Sequence, residues 1–176
     1  MVKREVTTPY PLIDADPYAG RVIRYMRPSD SAYIAGGGVL APALLYAYEL
    51  ADPTKAVRSH LKPALRLTGF LGLVGGFLFA YQRSTLRFWG WTENKREQEM
   101  DFAELSKLAR EGKPLYGETN ETPFIQGVAY RNSVFSQLKF GAVPWFNLAV
   151  HPHHGVDTSK YYASAKQEVQ QDKKSS

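Results

Sequence analysis

The chain has 176 residues, a formal charge of +5 and no cysteine. A disulfide framework, a cysteine zinc site and thiolate-held haem or iron–sulfur groups are thereby excluded. Mean hydropathy is −0.35, an average over uncharged glycine-rich runs and long polar arms; the length allows one membrane hairpin and no large separate domain.

Residues 1–28 read as an extended N-terminal arm. The start lacks an apolar run and carries Glu5, Asp14 and Asp16, so neither a secretory signal nor an acid-poor matrix presequence is expected there. Pro9, Pro11 and Pro17 rule out a long helix or a central strand. The apolar residues between them suit a strap lying on another surface. Arg21, Arg24 and Arg27 recur every third residue before Pro28, as either a membrane-surface amphipathic turn or a solvated arginine face.

Residues 29–91 form the candidate hairpin. Ser31–Tyr48 and Leu67–Gln82 carry no ionisable side chain except tyrosine. The first run covers about 27 Å as a helix; the second reaches spanning length if it starts at Pro63, a favoured first helical position. The expected spans are therefore about 31–50 and 63–82. Two buried helices of a soluble domain remain the alternative, although neither run shows the polar stripe usual on such helices.

Tyr33, Tyr81, Trp89 and Trp91 are expected as interfacial anchors. Gly36, Gly37, Gly38, Gly72 and Gly76 are expected to let helix backbones approach, and Gly72 and Gly76 make a small-xxx-small pair. Ordinary membrane-helix composition would account for the same glycines. Pro42 predicts a kink. Arg21, Arg24, Arg66, Arg83 and Arg87 flank the apolar runs and are expected to contact lipid head groups. An even number of spans puts both termini on one side. The basic flanks favour the positive side, although the connecting loop, with Lys55, Arg58, Lys62 and Arg66, is basic too.

Thr92 is positioned to cap an amphipathic helix within 92–112 that buries Met100, Leu105, Leu108 and Ala109 and stops at Gly112. In 113–162, prolines and glycines interrupt every apolar run, yet Phe124, Ile125, Tyr130, Phe135, Phe140, Trp145 and Phe146 give it much to bury. It reads as an irregular aromatic arm ordered on partner subunits, or as a small irregular domain. The polar end, 163–176, is expected to fray.

Only His151, His153 and His154 resemble a cluster with chemistry. With Asp157 the lone nearby acid, the ligand count falls short of a zinc site, and a loop that packs or hydrogen-bonds is expected. Gly36–Gly38 lacks the phosphate-loop pattern, and no nucleophile–base spacing stands out. The chain reads as non-catalytic, with no catalytic, cofactor or metal residues.

The phrases PYPLIDADPYAGRVIRYMRPSD, RFWGWTENKREQEMD and PFIQGVAYRNSVFSQLKFGAVPWFNLAVHPHHGVD, placed around the two glycine-rich runs, carry a resemblance. The chain resembles the fungal-type 21 kDa accessory subunits of mitochondrial NADH:ubiquinone oxidoreductase, respiratory complex I. The resemblance implies an all-α two-span protein of the inner membrane, partnered by other complex I subunits and by lipids; in that membrane the positive side favoured by the basic flanks is the matrix, and the flanking arginines would meet phospholipid such as cardiolipin. It also implies that FMN, iron–sulfur clusters and ubiquinone are held elsewhere in the complex, and that the chain supports assembly and stability. A hairpin of a carrier or protein translocase, and a soluble nucleic-acid scaffold, are the competing readings.

Overall fold

A computed structural model describes residues 7–53, 60–136 and 144–175. Its regular elements are all helical: α1 (Ala19–Arg24), α2 (Pro28–Ala51), α3 (Leu61–Phe88), α4 (Lys95–Arg110), α5 (Pro123–Ser133) and α6 (Ser159–Ser175). The loop residues Lys55 and Arg58, and Phe140 of the aromatic stretch, lie outside the described residues.

The chain divides into two units. The hairpin unit is centred on Ile23–Ser84; the strap unit is built from the chain before Ile23 and after Ser84. In the hairpin unit, α2 starts with Pro28 at its first position, and the Asp30 carboxylate accepts the Arg27 backbone N–H at 2.8 Å. The helix runs through Pro42 without interruption. Both α2, with 24 residues, and α3, with 28, are long and apolar enough to cross a membrane. Leu40, Leu44, Phe70 and Leu71 point outward and exposed, as lipid-facing side chains must when the solvent is hydrocarbon.

α3 begins at Leu61 rather than Pro63 and continues past Gln82 to Phe88. The added turns carry Arg83 and Arg87, which meet Asp30 and Glu97 respectively. Paired charges let the helix continue beyond its uncharged stretch.

In the strap unit, α4 and α6 pack around Leu105, Leu115 and Tyr161, flanked by Leu108, Ala109 and Tyr116. α4 starts three residues after Thr92, with Asn94 at the cap position. The Asn94 amide is turned away to donate to the carbonyls of Pro11 and Arg87, both at 2.8 Å. Gly112 ends the helix at φ +67°, as expected of a C-terminal glycine.

The stretch expected to be irregular contains α5. Pro123 opens that helix instead of breaking one, and Thr122 caps it by accepting the Ile125 N–H at 3.4 Å. The end expected to fray is helical as well, through Ser175, with Ala165 of α6 buried there and Tyr161 buried just ahead of that stretch. Apolar residues four apart give this otherwise polar helix one face to bury.

Candidate functional site

The seam of the hairpin is made of backbone. A Cβ built on Gly37 would fall on the Gly72 carbonyl oxygen, and one on Gly72 would fall on the Gly37 carbonyl oxygen. One on Gly72 would also sit 2.8 Å from the Ala41 Cβ, and one on Gly76 would sit 2.5 Å from the Tyr33 carbonyl oxygen. A Cβ on Gly38 would meet Leu73 at 2.6 Å. Gly37, Gly38, Gly72 and Gly76 therefore sit where the two helices touch. Gly36 does not: nothing lies within 4 Å of its Cβ position. Successive helical residues turn about 100° around the axis, so three glycines in a row cannot all face one neighbour. Hydrocarbon gives two apolar helices no hydrophobic drive to associate, so close apposition and dispersion carry the pairing.

One end of this seam is locked by charge. Asp30 is fully buried and lies 3.4 Å from Arg83 Nε. The Arg83 guanidinium lies 4.8 Å above the Tyr33 ring, which meets Phe79 edge-on at 5.0 Å.

The strap unit is held by different chemistry. Its N-terminal segment follows an irregular path and finds its backbone partners on other segments. Tyr10 N–H donates to the Gly90 carbonyl at 3.1 Å, Ile13 N–H to Phe88 at 2.9 Å, Ala15 N–H to His154 at 2.9 Å and Ala19 N–H to Asn147 at 2.7 Å. Gly90 sits at φ +74°, and a Cβ there would fall on the Tyr10 carbonyl oxygen, so only glycine suits that crossing.

Carboxylates pin the strap from inside. Asp14 Oδ1 lies 2.8 Å from His154 Nδ1, whose Nε2 lies 2.6 Å from the His151 carbonyl oxygen. Asp16 Oδ2 lies 2.8 Å from His151 Nε2 and also accepts the Ser133 hydroxyl. His151 Nδ1 accepts the His153 N–H at 3.2 Å, which leaves the ring proton on Nε2 to donate to Asp16. His154 stacks on Tyr116 with ring centroids 3.5 Å apart.

Arg21 donates to Asp101 Oδ1 at 2.6 Å and lies 3.5 Å from Asp14 Oδ2. Tyr161 donates to the other Asp101 oxygen at 2.5 Å. Burial, then the Asp101 hydrogen bond, pushes the Tyr161 hydroxyl far above its usual range. Burial, then the Asp14 charge, does the same to Tyr116. Both phenols stay protonated.

Several expected roles change accordingly. Arg21 and Arg87 are buried against Asp101 and Glu97, not open to head groups; a desolvated guanidinium needs a carboxylate at hand. Tyr81 and Trp89 are buried rather than interfacial, Trp89 meeting Phe135 edge-on at 5.6 Å. Arg24, Arg66, Tyr33 and Trp91 are exposed and Arg83 partly so. His151 and His154 hydrogen-bond, as a packed loop should, but their acids are Asp16 and Asp14 and not the exposed Asp157, while His153 is exposed and contributes its backbone N–H. Among the described residues, no group of three or more histidine and acidic side chains is placed to hold a metal.

A glycine-packed two-span hairpin joined to a unit of buried, mutually paired charges describes a membrane-anchored structural subunit. The comparisons with known proteins fit that class. Residues 7–93 match the family model for the 21 kDa subunit of NADH-ubiquinone oxidoreductase complex I, and residues 102–176 match the model for the C-terminal part of the same subunit. The NADH-ubiquinone oxidoreductase 20.9 kDa subunit of Neurospora crassa is 44% identical over 169 residues, covering 96% of this chain and 89% of that protein. The chain belongs to the 21 kDa subunit family of complex I, whose members are accessory subunits of the respiratory enzyme. Nothing in these similarities supports a carrier or a translocase.

Proposed function

We propose that the chain works in the mitochondrial inner membrane as a non-catalytic clamp within complex I, stabilising the membrane arm. The observation that carries this reading is family membership over nearly the whole chain, joined to a hairpin whose apolar side chains face outward. In this reading the Gly37–Gly72 seam keeps the hairpin narrow enough to sit among other subunits. Arg24, Arg66 and the exposed part of Arg83 meet phospholipid, cardiolipin among them, while Tyr33 and Trp91 mark the interface. FMN, the iron–sulfur clusters and ubiquinone belong to other subunits, and this chain takes no small-molecule substrate and no nucleic acid. Both termini face the matrix.

Native gels of detergent-solubilised inner membranes test the assignment. Co-migration with the NADH-dehydrogenase band is expected, and a free monomer absent from that band would contradict it. Protease protection in intact against ruptured organelles tests topology: the termini should be cut only after the inner membrane is opened.

A further inference from the structure

We propose that the loop end of the hairpin holds one anionic phospholipid, its phosphate between Lys62 and Arg66 and its acyl chains running from the cleft toward the uncharged runs of α2 and α3. This rests on reading α2 and α3 as a bilayer hairpin. A cleft of 710 Å³ opens there between the last turns of α2 and the first turns of α3. Tyr46, Glu49, Lys62 and Arg66 give it polar groups; Leu50, Leu61, Leu65 and Pro53 give it apolar wall. The volume falls within the roughly 300–1,000 Å³ of ligand-binding clefts.

Depth and charge select the occupant. The uncharged run of α2 ends at Tyr48 and that of α3 begins at Leu67, so the cleft stands where hydrocarbon gives way to head groups. Lys62 and Arg66 are one helical turn apart and line the same cleft. Arginine's planar fork pairs two phosphate oxygens at once, and lysine adds a point charge. Among the described lining residues, Lys62, Arg66 and Glu49 sum to a single positive charge, matching the single negative one of a phosphodiester. The apolar wall suits the glycerol backbone and the first acyl methylenes and offers nothing to a free anion.

The test is photolabelling of mitochondrial membranes with two probes carrying the same acyl diazirine, one a phosphatidylglycerol and one a phosphatidylcholine. The full chain is recovered through an affinity tag, and labelled peptides are mapped. Label from the glycerol probe is expected where the cleft opens into the uncharged runs, on residues 44–48 and 65–70, exceeding the choline probe roughly fivefold, the ratio set by one cation's attraction for anionic lipid. Arg66→Gln should remove most of that excess, Arg66→Lys should keep most of it, and Glu49→Gln should raise it. Equal labelling by the two probes, an Arg66→Gln variant labelled like wild type, or loss of label to millimolar inorganic phosphate would overturn the proposal. If the variants fold poorly, the two-probe comparison on the wild-type chain still decides. A parallel native gel reads assembly separately: a chain within complex I but unlabelled sinks only the lipid site, whereas a chain outside the complex sinks the clamp.

Discussion

The hairpin and strap units solve the same problem, holding segments distant in sequence together, with opposite chemistry. Along the hairpin seam the side chains are removed, and glycine lets one backbone rest on the other at Gly37 and Gly72. In the strap unit the side chains do the holding, with Asp14, Asp16, Arg21, Glu97 and Asp101 buried and paired. The solvent each unit faces explains the difference. Between helices in oil there is no water to expel, so contact must come from fit. The strap before α1 is too short and proline-broken for regular structure, so its polar backbone and carboxylates need partners from elsewhere in the chain.

The largest effect should come from removing one charge from the strap unit. Arg21→Met removes the guanidinium between the buried carboxylates of Asp14 and Asp101, an expected loss of about 3–5 kcal/mol. Denaturation of the detergent-solubilised chain followed by proteolysis should show it; unchanged resistance would mean the charges are not buried together.

Overfilling the seam comes next. Gly72→Leu should cost about 3 kcal/mol and reduce incorporation into the complex on native gels, whereas Gly36→Leu should be tolerated because its Cβ position is open. Equal behaviour of the two variants would break the assignment of which glycines pack.

Gly90→Ala puts a side chain at positive φ against the Tyr10 carbonyl. About 2 kcal/mol is expected, seen as faster hydrogen exchange at Tyr10, Ile13 and Ala15 while α2 stays protected. The smallest effect belongs to Thr122→Ala, about 1 kcal/mol from a lost cap, read as faster exchange in the first turn of α5. Exchange spreading through α4 and α6 would show that α5 is not an independent local element.

The sequence exposed the hairpin because a run without charge is a one-dimensional signal. It left open which of Gly36, Gly37 and Gly38 faces α3, which depends on helix rotation and neighbour placement. Arg21 and Arg87 looked like membrane flanks because their carboxylate partners are defined only by tertiary structure. The acid–histidine pairs were hidden for the same reason: Asp14 and His154 stand 140 residues apart, and Asp16 and His151 stand 135 apart. α5 was masked by Pro123, a residue that ends one helix or begins another according to what precedes it. Here Thr122 supplied the cap, a signal present in the sequence.

The spanning of α2 and α3 can be measured by treating mitochondrial membranes with a hydrocarbon-soluble carbene precursor and mapping the labelled residues. Leu40, Leu44, Phe70 and Leu71, exposed on the hairpin, should carry the label, and the polar face of α4 should carry none. A hairpin that stays unlabelled while α4 is labelled would contradict a membrane-spanning clamp.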